Sequence, residues 1–396
     1  MQFLGAAAVQ ARNPIVAALE EAGPGSVIRL QAGDYPAFGI GFDKPQHWNA
    51  RTRGGSAQKP ILVQAQGPVR ILPAGHGGDT LSINQAVPNG HITFEGITFV
   101  PSGRAGIFFF KLDGGKSHTG YRFLDCHIEG GWDHVTDSGQ SSKWGVWGHS
   151  LKDFEFSGVG TRARIRNLRY EHAFYLQNCR GNVTIENVDC SRVGRTFIQV
   201  TARQGDGAPG TGTIILRNNR VEDVAISKDD NHKGGSAFTF AGRHRGLILV
   251  EKNTYRAGFD PKLRHLTRGD APYGTGAVAA WDGGEPQRNG TLVLKSNVFE
   301  MAPGCGDRAL VALGGCDEVR LIGDNRFVCE ENDALAFDPL HWDGKGRLLS
   351  KPNTRVYMGE ETVVEGKTTV RGRPITDEQR EEYAKKPEPK QRRPVK

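Results

Sequence analysis

The stretch "TIILRNNRV" (213–221) alternates apolar and polar residues, then sets a polar pair before a closing apolar residue. The same figure recurs as "HITFEGITF" (91–99), "YRFLDCHI" (121–128), "NVTIENVDC" (182–190), "LILVEKNTY" (247–255), "TLVLKSNVF" (291–299) and "EVRLIGDNRF" (318–327). Alternation of this kind is the pattern of a half-buried strand. Counting back from each closing residue, Asn219, Asn253, Asn297 and Asn325 stand two positions before it, and Ile97, Cys126 and Val188 hold the same slot in earlier copies. A second short strand follows each copy: "GIFFF" (106–110), "GVWGH" (145–149), "HAFYL" (172–176), "TFIQV" (196–200), "SAFTF" (236–240), "GAVAA" (276–280), "RALVA" (308–312) and "DALAF" (333–337). The third and fifth residues of these are apolar and read as inward, with His149 the exception in an inward slot. Copies recur at about 24 to 40 residues, as in 174, 198, 238 and 278. One such turn cannot bury its own apolar side, so the repeat predicts stacked coils with loops inserted between them. The expected fold is all-β, a solenoid of stacked coils. The asparagine slots should then align into a ladder of side-chain amides.

The bulk composition agrees. Hydrophobic residues make up 37% of the 396 positions and glycine fills 53 of them, a turn-rich chain suited to many short strands rather than a helical bundle. The net charge of +7 favours anionic partners, acidic polysaccharide before nucleic acid. Six cysteines (126, 179, 190, 305, 316, 329) show no Cys-x-x-Cys pair and no metal-ligand spacing, and most fall at apolar positions, so they read as buried thiols. No segment reaches the roughly 18 apolar residues of a membrane span. The start, "MQFLGAAAVQARNP", lacks the basic flank of a signal peptide, although the fold points to a secreted or periplasmic setting. The end, "ITDEQREEYAKKPEPKQRRPVK" (375–396), loses apolar periodicity. These features divide the chain into an N-terminal segment with a helix (1–25), a β-helix domain (26–372) and a charged tail (373–396) expected to be disordered, at most after a short helix.

The opening "PIVAALEEAGPGSVIRLQAGDY" (14–35) reads as an amphipathic helix, a Pro-Gly turn and a strand ending in Gly-Asp-Tyr. Together with the asparagine column it resembles the right-handed parallel β-helix proteins of the pectate-lyase-like group. It is most like the openings of lyases acting on alginate and chondroitin-type polymers. The resemblance implies that residues 14–22 cap the open end of the coil. It does not extend to the catalytic motif. The Glu-Ser-x-Ser-x-Lys-Ser segment of those lyases is missing, as are the paired aspartates and Gly-His-Gly of polygalacturonases and the Asp-Pro-His of epimerases. "WGHS" (147–150) and "KDD" (228–230) are fragments only. Activity must therefore be argued from the outer wall.

In "EHAFYLQ" (171–177) Phe174 and Leu176 point inward, so Tyr175 and Gln177 point outward, and one coil on Gln199 and Thr201 occupy the matching places. Glu171 aligns with Arg195 as a neighbour at ion-pair distance. Arg192 and Arg203 flank that coil, while Phe109, Lys111 and Ser150 are expected to continue the surface on earlier ones. The loops 132–145, 227–235 and 258–276 would wall a groove suited to a linear polymer. The candidate catalytic set is His172, Tyr175, Arg195 and Glu171. Gln177, Gln199, Arg203, Lys111, Lys233 and Arg243 are the substrate-binding candidates. A lyase acting on uronates needs a cation to neutralise the carboxylate, a base for the adjacent proton and an acid for the leaving oxygen. Arg195 or Arg203 fits the first task, His172 or Tyr175 the second, and Tyr175 the third, with Glu171 orienting. Each also has a plain structural reading: a turn-capping histidine, a coil-to-coil ion pair, an exposed ladder tyrosine. Asp229, Asp230, Asn231 and His232 could ligate calcium or form a solvated turn, with Asp133 and Asp137 weaker in the same sense. Two alternatives stay open. A glycoside hydrolase would pair Glu171 with Asp229 or Asp230, and a binding or tailspike-like solenoid would carry no chemistry.

Overall fold

Parallel strands need a crossover before they can pair, and in a coil the rest of the turn supplies it. The computed structural model describes residues 12–42, 48–73, 78–84, 90–101, 103–112, 115–133, 138–139, 143–202, 209–226, 235–259, 267–268, 271–272, 276–282, 288–305, 309–339 and 352–385. Its strands stack coil over coil into three parallel sheets. The first sheet runs through Ile92–Phe99, Phe154–Ser157, Val183–Glu186, Ile214–Arg217, Leu247–Glu251 and Asn289–Lys295. The second contains Ala163–Leu168, Val188–Val193, Arg220–Val224, Thr254–Ala257 and Val298–Met301. The third joins Asp79–Ile83, Ala105–Phe109, Trp144–His149, Phe174–Gln177, Ile198–Thr201, Phe238–Ala241, Val278–Trp281 and Val311–Leu313. The expected solenoid is present.

Its interior is a continuous apolar column. Phe156, Phe174, Phe197, Phe238, Phe299 and Phe327 follow one another with ring centroids 5.2 to 5.8 Å apart. Edge-on, tilted and stacked pairs of this kind add to the burial of large side chains. Helix Pro14–Glu21 closes one end, burying Ile15, Val16 and Leu19, and its first turn is capped by Asn13, whose Oδ1 accepts from the amides of Ile15 and Val16. Residues 14–22 thus cap the coil as expected. Beyond residue 372, Arg373–Pro374 pairs antiparallel with Thr369 and Val370, and Asp377–Ala384 is the short helix, fixed by a Thr376/Gln379 capping box, with Tyr383 against Phe337. Residues 386–396 lie outside the described structure.

The asparagine slots form the expected ladder. Asn219 donates from its side-chain amide to Asn253 Oδ1 at 2.9 Å, Asn253 to Asn297 at 3.1 Å, and Asn297 to Asn325 at 3.1 Å. Each Oδ1 also accepts the backbone N–H of the slot below, and each Nδ2 donates to a carbonyl of the preceding coil, such as Leu216 for Asn253. The cause is the turn. The residue before the slot is left-handed at Asn187, Asn218, Lys252 and Ser296 (φ 53–55°), which leaves slot amides that cannot pair along a sheet. Where Cys126 holds the slot, its Sγ is within 3.5 Å of the Phe94 carbonyl.

All six cysteines are buried and unpaired by disulfides, and burial pushes Cys126, Cys179 and Cys316 up to about 12, well away from thiolate chemistry. Among the described residues no helix is long and apolar enough to cross a membrane.

Replacing Asn253 by Leu strands the donors of Asn219 and the Leu216 carbonyl, so it should cost about 2–4 kcal/mol, read as a lowered denaturation midpoint. A second outcome concerns His118 and His244, which burial pushes down to about 4 against weaker support from the carbonyls of Phe110 and Gly212. The unfolded chain takes up these protons near pH 6.5 and the folded chain only near 4, so stability is whole above that window and falls as pH drops through it. His244→Gln should flatten the slope of melting temperature against pH across this range.

Candidate functional site

The turn from second to third sheet differs in length from coil to coil. Residues 169–173 and 194–197 make it in two neighbouring coils, whereas 225–237 and 258–277 make it in the next two. The two short turns stack: Gly194 N–H donates to Leu168, Arg195 to Glu171 and Ala173 to Thr196. They carry Glu171, His172, Arg195 and Thr196.

Their side chains form one hydrogen-bonded array. Arg195 Nη1 donates to Glu171 Oε2 at 3.0 Å, and His172 Nε2 lies 3.3 Å from the same oxygen. His172 Nδ1 is 2.5 Å from Thr196 Oγ1, and its ring stacks on Tyr175 at 5.1 Å. Gln177 Nε2 donates to the Tyr175 hydroxyl at 3.3 Å and Gln177 Oε1 accepts from Trp147 Nε1 at 2.9 Å. Tyr175 pairs in register with Gln199 and Trp147. The expected adjacency of Glu171 with Arg195 and of Tyr175 with Gln199 is therefore present. Exposure separates the roles. The His172 side chain is 3% exposed and Glu171 11%, while Arg195 is 32% exposed. Beyond Nη1, the Arg195 guanidinium makes no hydrogen bond among the described residues. Gly235, with φ 126°, passes so close to Thr196 that a Cβ there would lie 2.3 Å from Thr196 Cγ2, which holds the hydroxyl against His172.

Several expectations need correction. Tyr175 and Gln177 point outward but are buried, each covered by its neighbours in this array. Phe109 faces the core, because Ile107 pairs with Val146 and Phe108 with Trp147; Phe108 and Phe110 are the outward rings. The same one-residue shift turns Trp147 and His149 outward, since they pair with Tyr175 and Gln177, and places Ala312 of "RALVA" outward beside Ala279. Ser150 is buried in a left-handed turn, and Arg192 belongs to the second sheet. Arg243 is buried at φ 57° rather than lining a surface. Lys111 is exposed at the end of the third-sheet strand. Arg203, Lys233, Asp137, Asp229, Asp230, Asn231 and His232 lie outside the described residues. Among the described residues no group of three or more His, Cys, Asp or Glu is placed to hold a metal ion.

The alternation reading missed Trp144, Trp147 and Thr196. Trp147 meets Trp144 at 4.4 Å and Phe108 at 4.8 Å. The clustering of tryptophan in "WGVWGH" was the available signal, masked by counting tryptophan as apolar and hence inward.

No protein family and no curated protein matches the chain. Among solved structures it is similar to an alginate lyase from Paenibacillus sp. str. FPU-7, with TM-score 0.48 and 14% identity over 80% of this chain and 91% of that chain. It is also similar to a mannuronic acid specific polysaccharide family 6 lyase enzyme from human gut microbiota, with TM-score 0.49 and 13% identity over 90% of this chain and 79% of that chain. Neither likeness bears on the residues of the site.

A double-mutant cycle of Glu171→Ala and Arg195→Ala should give a coupling of about 1 kcal/mol in unfolding free energy, the upper end for ion pairs with a solvent-accessible member. A coupling near zero would mean the two side chains do not hold each other.

Proposed function

We propose that the protein binds an anionic, uronate-containing polysaccharide across the third sheet and cleaves it by β-elimination at Tyr175 and Arg195. The observation that carries this reading is the Arg195 guanidinium. One nitrogen is anchored on Glu171, its remaining donors are uncommitted among the described residues, and about a third of it is open to solvent. A planar cation so presented suits a carboxylate, and neutralising a uronate carboxylate acidifies the proton on the adjacent ring carbon. The net charge of +7 adds long-range attraction for such a polymer.

His172 is a positioning residue in this reading. Its two ring nitrogens face Thr196 and Glu171, which leaves neither toward a substrate. The base is then Tyr175, on the coil next to Arg195, with its oxygen held by Gln177. Its phenolate takes the proton next to the carboxyl group, a carbon–carbon double bond forms as the glycosidic bond breaks, and the phenol's proton passes to the leaving oxygen.

A second reading, a polysaccharide-binding solenoid without chemistry, is favoured by the same closure of His172 and by the burial of Tyr175. The hydrolase reading rests on Asp229 or Asp230, outside the described residues.

Incubation with alginate, pectate, chondroitin sulfate, hyaluronan and heparin separates these. A lyase generates the ultraviolet absorbance of unsaturated uronate ends, a hydrolase only reducing ends, and a binding protein neither. Tyr175→Phe and Arg195→Ala should each lower the elimination rate by about 100-fold or more with melting temperature retained. Wild-type rates in both variants would discard this site.

A further inference from the structure

The rings on the outside of the third sheet form one connected run. Trp48 meets Phe42 at 5.2 Å, Phe42 meets Phe110 at 5.1 Å, Phe110 meets Phe108 at 4.6 Å, and Phe108 meets Trp147 at 4.8 Å. Trp147 then leads to Trp144 and, at 6.0 Å, to Tyr175. Past Tyr175 the same register position holds Gln199, Thr239, Ala279 and Ala312. The run therefore reaches the candidate site from its N-terminal side, and beyond the site Trp281 is a further outward ring, on the register row of Gln177, Thr201 and Ala241. The outer face of the first sheet is built differently, from ion pairs such as Arg217–Glu251–Lys295. Stability of the coil thus does not require aromatic rings on an outer wall.

We propose that this run is a binding track for the sugar rings of an extended anionic polysaccharide lying along the solenoid axis, with most of the bound chain on the N-terminal side of Arg195. The proposal deepens the function argued above and rests on its ligand class. Three observations carry it. Trp48, Phe42, Phe110, Trp144 and Trp147 are each partly exposed, whereas Phe108 is buried under the Arg104 guanidinium, which lies 3.9 Å from its ring centroid and 5.5 Å from that of Phe110. Successive coils advance by ~4.8 Å, comparable to the length of one sugar ring in an extended chain, so neighbouring rungs meet neighbouring sugars. The track is flanked by positive charge, with Lys111 exposed at its edge and Arg195 at its end. Flat apolar faces match the C–H faces of pyranose rings, while the carboxylates of a polyuronate are left for the cations.

The test is affinity electrophoresis of the full chain through gels containing alginate, pectate, chondroitin sulfate, hyaluronan or heparin, in a Tyr175→Phe background that blocks turnover and keeps the ring. Retardation by at least one of these polymers that weakens about fivefold or more with Trp147→Ala or Trp48→Ala supports the track. Trp147→Phe, which keeps a ring but loses the hydrogen bond to Gln177, should retain most of the retardation if stacking is the cause. Melting curves identify any variant that has merely unfolded. In the parent protein, Trp48→Ala should raise KM for long chains more than for short oligosaccharides. Equal retardation with and without the tryptophans would overturn the track while leaving the ligand class standing. No retardation in any gel would overturn both. Dissociation of an oligomer in the tryptophan variants with retardation unchanged would overturn the track and assign the rings to contact between copies of this chain.

Discussion

Backbone pairing between successive coils is the constraint on which the rest of this molecule depends. No single turn of the chain makes enough internal hydrogen bonds or buries enough apolar surface to persist alone. Once stacked, each strand satisfies its neighbours, and residues far apart in sequence become lateral partners. Glu171 and Arg195 are partners only because Ala173 and Thr196 share a hydrogen bond between coils. The asparagine ladder is the same constraint expressed at a corner. A left-handed residue frees an amide that no strand can take, and a buried side-chain amide one coil away accepts it.

The third sheet carries the candidate side chains on this rigid scaffold. The two short turns at 169–173 and 194–197 bring an ion pair, a histidine and a threonine onto adjacent rungs, with Tyr175 at the start of the following strand. Within that array burial distributes the roles. His172 is enclosed and tied at both nitrogens, whereas Arg195 is anchored at one end and open at the other. A group held from one side keeps its geometry and still has donors for a ligand, which is the condition for preorganised charge recognition.

The connected rings give the wall a direction. Along one register row Phe108, Trp147 and Tyr175 are rings and Gln199, Thr239, Ala279 and Ala312 are not, so the change falls between Tyr175 and Gln199, with Trp281 on the neighbouring row. An outer face so divided is chemically different on the two sides of Tyr175. The ion-paired first sheet provides the contrast within the same molecule, since there opposite charges alternate from coil to coil and cancel locally.

The amino-acid sequence by itself determined the coil. Apolar residues two apart and asparagines at one recurrent offset are local patterns, and only stacking can bury the first and satisfy the second. It also aligned Glu171 with Arg195 and Tyr175 with Gln199, because both pairs keep the single offset that relates Phe174 to Ile198. Which rings face outward was decided by the tertiary structure. Alternation fixes two faces but not which is inner, and in "GIFFF" and "GVWGH" apolar residues stand on both, so only pairing of Val146 with Ile107 and Phe174 turns Phe109 in and Trp147 out. The closure of His172 was equally beyond the sequence, since Thr196 reaches it from another coil and Gly235 presses Thr196 from a third.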